Sequence, residues 1–147
     1  MMARQHEALF PVLEELKVGF MAFFPMANGL LTARYGKDDK FDPKLDYRSA
    51  MPQFTPEAAE ENRELLELLR NLAEEKHATP AQISLSWMLC KKPYIVPIPG
   101  SRKVERMREN AGAAEVVLSP AEVATLDRIL ETVPMSAVFG GTAVKSR

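Results

Sequence analysis

Cysteine is nearly absent from this chain. Cys90 stands alone among 147 residues, which excludes an intramolecular disulfide framework and leaves a small buried thiol as the expectation. That suits the cytoplasm. Histidine is almost as scarce: His6 and His77 lie far from each other and from Cys90, so no metal-ligand spacing exists. No apolar run approaches the roughly 18 residues a membrane helix needs, and Arg4, His6 and Glu7 leave no room for a signal-peptide core at the start. Neither sign of charge dominates. With a net charge of -1 and a pI near 6.2 the chain is no polycation, which argues against nucleic-acid binding. Repeats and low-complexity tracts are missing as well.

What remains is ordinary globular material, 46% hydrophobic and 27% charged, expected as a single unit over residues 1–147. In Glu7–Lys17 the spacing of Leu9, Val12, Leu13 and Leu16 predicts one apolar helical face, opened or kinked by Pro11 and ended by Gly19. Phe20–Phe24 is continuously apolar, the pattern of a strand buried on both sides. Residues 32–54, rich in Gly, Asp and Pro, read as a long irregular loop; Tyr35, Phe41 and Tyr47 either reach a ligand or pin the loop to the body. Thr55 caps a long helix with Pro56 at its first position and Leu65, Leu68, Leu69 and Leu72 on its buried face. Thr79–Gln82 and Ser119–Glu122 are capping boxes; Ile83, Trp87 and Met88 belong to the first helix's core face, and Val123, Leu126, Ile129 and Leu130 to the second's. The tail, 135–147, is expected to be mobile.

Tyr94–Asn110, YIVPIPGSRKVERMREN, is the stretch with chemical character. Tyr94, Ile95, Val96 and Ile98 form a short β-rich run bounded by Pro93, Pro97 and Pro99; together with Phe20–Phe24 and the helices between, it suits two parallel strands joined by a crossover. Gly100 permits a sharp exit and Ser101 is a candidate N-cap for a cationic helix. Unpaired amides, the positive end of the helix dipole and the charges of Arg102, Lys103 and Arg106 together make an anion cradle. Each charge-assisted bond to a phosphate is worth about 1.5–3 kcal/mol.

The run I-P-G-S-R-K-V-E-R-M-R-E-N, followed by A-G-A-A-E-V-V-L-S, resembles the eighth strand and following helix of the aldo-keto reductases, (β/α)8 barrels that reduce carbonyls with NADPH. A-F-F-P-M-A-N-G-L-L-T resembles the segment after that family's seventh strand, commonly A-Y-S-P-L-G-R-G-F-L-T. The resemblance implies an α/β, helix-rich part of a TIM barrel, with strands seven and eight present and the first six absent; a whole barrel takes about 250 residues. It also implies an NADPH site. Ser101, Lys103 and Arg106, with Arg102 beside them, would meet the 2′-phosphate, and Glu109 and Asn110 the adenine. Ile98, Pro99 and Gly100 would carry the strand into that cradle. Phe23 would stack on the nicotinamide, the alternative being that Phe20, Phe23 and Phe24 are all core aromatics; Pro25, Met26 and Asn28 would approach the pyrophosphate. Two departures bear on those phosphate contacts: Phe24 stands where serine is frequent, and Asn28 where arginine is.

The family's catalytic tyrosine, lysine, aspartate and histidine lie on strands before the sixth, and no residue here matches them. The resemblance thus implies the cofactor-binding C-terminal part of an oxidoreductase acting on small carbonyls, inactive alone. A non-enzymatic nucleotide-binding or interaction module that assembles with another chain is the alternative. Strands without neighbours expose edges and apolar faces, so self-association is expected.

Overall fold

One helix organises the packing. In the computed structural model, which describes residues 1, 4–132 and 136–137, α4 (Pro80–Lys91) is buried at Ala81 and at every position from Ile83 to Met88. Its start is a full capping box: Thr79 Oγ1 accepts from the Gln82 N–H at 3.3 Å, and Gln82 Oε1 accepts from the Thr79 N–H at 2.9 Å. Two amides left over by the first turn are thereby satisfied. Two serines sit inside because each finds a carbonyl: the Ser84 hydroxyl donates to Leu31 O and the Ser86 hydroxyl to Val116 O, the latter at 2.6 Å.

Around α4 pack α3 (Arg63–Glu75), α5 (Val104–Ala111) and α6 (Pro120–Thr132), beside a two-stranded sheet. Leu65, Leu69, Ile83, Leu85 and Leu126 are all at most 1% exposed. Each such side chain contributes about 1.5–3 kcal/mol of burial. Trp87 is core, as its helical position predicts, and its indole N–H donates to Asp127 Oδ1 at 2.9 Å. Lys91 Nζ meets Asp127 Oδ2 at 2.9 Å, tying α4 to α6. Ser119 and Glu122 close the second capping box, with bonds of 2.6 and 3.3 Å.

The strands are β1 (Phe20–Ala22) and β2 (Ile95–Pro97), parallel, with Phe20 opposite Ile95 and Ala22 opposite Pro97. Parallel pairing is what two short runs separated by a helical excursion require. The expectation of a strand buried on both faces fails, however. Phe20, Ala22 and Ile95 pack on the helices, whereas Met21 is 71% and Val96 54% exposed. Helices cover one face, and among the described residues nothing lies on the other.

Other expectations need correction. The helix after Gly-free Glu7–Lys17 spacing is α1 (Phe10–Leu16), preceded by a 3-10 turn at Arg4–Leu9 and ended by Lys17 in the left-handed region (φ 53), not by Gly19. Of the anticipated buried face, Leu9, Val12 and Leu16 are exposed and Leu13 is half-buried. The long helix after Thr55 breaks at Asn62 into α2 (Pro56–Glu61) and α3. There the buried Asn62 amide donates to Ser136 Oγ at 2.7 Å while its Oδ1 accepts from the Ser136 N–H, and Leu66 joins the buried face in place of the half-buried Leu68. Cys90 is exposed, because the last turn of α4 runs out of the core beyond Met88. Of the tail, 133–135 and 138–147 lie outside the described residues. No helix among the described residues is long and apolar enough to cross a membrane.

Candidate functional site

Both strands run into one cleft of about 1080 Å³ at their carboxyl ends. Phe23, Pro25, Met26 and Asn28 line it from the turn after β1; Ile98, Pro99, Gly100, Ser101, Arg102, Lys103, Arg106, Glu109 and Asn110 line it from the segment after β2 and from α5. Two stretches far apart in sequence thus meet because their strands pair. The Ile98 N–H donates to Ala22 O at 3.1 Å, which fixes the height at which the second stretch leaves the sheet.

The turn after β1 is tightly wound. Phe24, Ala27 and Asn28 all have positive φ, 48°, 48° and 59°, and Gly29 follows at 103°. A phenylalanine in that region is a conformational outlier. The strain faces the cleft, and outliers of this kind persist where surrounding structure holds them in place. Phe23 is 70% exposed and Phe24 43%, their rings 4.0 Å apart, so the alternative that both are core aromatics does not hold. Phe20 does pack on the core. Neither amide atom of Asn28 is solvent-exposed, and neither has a hydrogen-bond partner among the described residues.

On the other wall, Ser101 is not the N-cap. Lys103 is, in extended conformation (φ -108°, ψ 127°), and α5 starts at Val104. The Ser101 oxygen instead accepts from the Lys103 N–H at 3.1 Å, a local turn that holds the chain off the helix for two residues more. Gly100 has ordinary negative-φ backbone, and a Cβ there would meet nothing within 4 Å. Arg102, Lys103 and Arg106 are exposed, with no ion pair among the described residues. Glu109 is engaged: its carboxylate takes Arg34 Nη2 at 3.2 Å, and its carbonyl accepts from Gln82 Nε2 at 2.9 Å. Gln82 thereby joins the cap of α4 to the far end of the cradle helix. Gly112 leaves room for it, since a Cβ there would lie 2.8 Å from Gln82 Nε2.

The loop 32–54 adds residues that sequence reasoning passed over. It contains 3-10 turns at Tyr47–Ala50 and Pro52–Phe54, and the rings of Tyr35, Phe41 and Phe54 pack edge to face, with centroids 5.0–5.8 Å apart. Tyr47 is 66% exposed at the cleft. Arg34, Asp46 and Arg48 line the cleft too. Arg48 lies over the rings of Tyr35 (4.6 Å) and Phe41 (4.4 Å) and is gripped by Asp46, whose carboxyl it holds below the usual range chiefly through their hydrogen bonds. The signal that could have found it is the Asp-Tyr-Arg sequence among loop aromatics.

Comparison with known proteins decides the family. The model of the Aldo/keto reductase family matches residues 1–131. The chain belongs to that family. It is 35% identical over 124 residues to aldo-keto reductase str7 of Strobilurus tenacellus, covering 84% of this chain and 37% of that protein. It is 33% identical over 135 residues to a probable aldo-keto reductase 1 of Glycine max (92% and 38%). To the aldo-keto reductase yakc of Schizosaccharomyces pombe, whose name carries NADP(+), it is 34% identical over 126 residues (86% and 36%). This aldo/keto reductase chain spans little more than a third of the length of these curated relatives. The cleft's features suit a nicotinamide dinucleotide: an exposed ring and, among the described residues, an amide with no hydrogen-bond partner and three cations with no ion pair.

Proposed function

We propose that this chain is the NADPH-binding C-terminal part of an aldo/keto reductase whose activity is reduction of a small carbonyl to an alcohol. The observation that carries the reading is the convergence of the segments after β1 and β2 on one cleft, with an exposed aromatic on one wall and, on the other, cations that have no ion pair among the described residues. Ser101, Lys103 and Arg106, with Arg102 beside them, hold the 2′-phosphate; Asn110 and Glu109 border the adenine; Phe23 offers its face to the nicotinamide. Ile98, Pro99 and Gly100 bring the backbone close, and Pro25, Met26 and Asn28 face the diphosphate. When bound, the cofactor supplies the hydride. The proton donor and its partners belong to strands before these residues, so the chain alone binds without reducing. Its setting is cytoplasmic.

The reading is tested by nicotinamide fluorescence. NADPH emission changes on addition of the chain, Phe23→Ala weakens NADPH and NADH alike, and no carbonyl is turned over; an unchanged emission at high chain concentration sinks it. The same reading has the uncovered sheet face, with Met21 and Val96 outward, bury itself against a second copy. Sedimentation then finds dimers or larger species that Met21→Lys with Val96→Lys disperses, and a monodisperse wild-type monomer contradicts it.

A further inference from the structure

The geometry points to Phe24 as a positioning residue, whose ring fixes the plane of Phe23, the aromatic that would meet the nicotinamide. The inference rests on the cofactor reading above. If the chain ran on extended beyond Ala22, Phe23 and Phe24 would point to opposite faces. They do not, because Phe24 adopts the left-handed region at φ 48°, and the two rings come to lie with centroids 4.0 Å apart and planes tilted by 38°. Among the described residues this is the closest and flattest ring pair; the others meet edge to face, with centroids 5.0–6.3 Å apart and planes at 63–88°. Such a backbone is costly for phenylalanine, and the turn it opens, closed by the Ala27 N–H donating to Phe24 O at 3.0 Å, would suit asparagine or glycine better. What phenylalanine adds is the ring. Phe23 is 70% exposed, so the core does not hold it, and a ring free to rotate has to be ordered when a ligand binds. Phe24, which also lines the cleft, covers one face of that ring and leaves the remainder open. A flat heteroaromatic laid on Phe23 then extends the stack to three rings. Serine, frequent in the family where Phe24 stands, could supply no such face.

The test titrates the full chain with NADPH, NADH and adenosine 2′-monophosphate, which has no nicotinamide. Phe24→Asn suits the left-handed backbone and removes the ring. It weakens NADPH and NADH by the same factor, about twofold to tenfold for one lost ring pair, and leaves the monophosphate affinity unchanged. Phe24→Tyr, which keeps the ring, binds as the wild type does. In a Phe23→Ala background Phe24→Asn has no further effect, since the residue acts through Phe23. An equal loss in both backgrounds shows that Phe24 meets the ligand itself, a parallel loss of monophosphate affinity shows that it only shapes the turn, and no loss at all shows that Phe23 is held without it. Each of these overturns the inference and leaves the cofactor reading standing. Thermal melts confirm that each variant is folded. Failure of the wild-type chain to bind any of the three ligands overturns the cofactor reading and this inference with it.

Discussion

The helical flank and the strand face of this molecule are built from equally apolar sequence, yet they end up differently. On the flank, Leu65, Leu69, Ile83 and Leu126 are 0% exposed, enclosed by α3, α4 and α6. On the strand face, Met21 is 71% and Val96 54% exposed, and on α1 Val12 and Leu16 are 50% and 63% exposed. Composition and periodicity do not distinguish the two. A layer buries its apolar side only when a second layer is there to receive it, so the difference reports what is packed alongside. The cleft lies at the boundary, lined by the segments that follow the two strands and by a helix tied to α4 through Gln82.

The largest test of this contrast is a pair of truncations. Leu69→Ala, in the enclosed flank, costs about 2–5 kcal/mol in urea unfolding, whereas Met21→Ala on the open face changes stability by less than about 0.5 kcal/mol at dilutions where the chain is monomeric. Comparable losses at both sites in the monomer would mean that the chain itself covers this face. Next comes the polar tie within the flank: Asp127→Ala removes the acceptor of the Trp87 indole and the nearer of the two carboxylates paired with Lys91, and costs about 1–3 kcal/mol. A smaller effect, about 1 kcal/mol, follows from Thr79→Ala, which opens the α4 capping box. If that variant also weakens the Gln82 bond to Glu109, the cradle helix loosens and hydrogen exchange at 104–111 rises.

The smallest effect is one of pH. Lys76, 2.8 Å from Glu122, holds that carboxyl below the usual carboxylate range chiefly by hydrogen bonding. Because the folded value is the lower one, this contribution is complete above the unfolded value of about 4.3 and is lost as pH falls through the folded value. Lys76→Met therefore flattens the acid limb of the stability curve as pH falls below the unfolded carboxylate value; an unaltered limb shows that the pair contributes nothing.

Much of the architecture was legible because it depends on local chemistry. Both capping boxes, the parallel strands and the Trp87 core position follow from neighbouring residues or from elements the chain must bring together. The thirteen residues that the resemblance assigns to a cofactor line one cavity, since both stretches follow directly on paired strands. What was not legible depends on the surroundings. The buried faces expected for α1 and β1 need a covering layer, Ser101 lost the cap position to a turn onto Lys103, and the break at Asn62 needs Ser136, which lies far along the chain. Arg48 went unread because its partners, Tyr35, Phe41 and Asp46, converge only once the loop is folded.

The central claim, a cleft that selects a 2′-phosphorylated nicotinamide dinucleotide, is tested most directly by calorimetric titration of the chain with NADPH and NADH, repeated for Arg106→Ala. The account predicts tighter binding of NADPH by about tenfold or more, the value of one charge-assisted phosphate contact, and loss of that preference in the variant. Equal affinity for the two coenzymes, or a preference that survives Arg106→Ala, contradicts it.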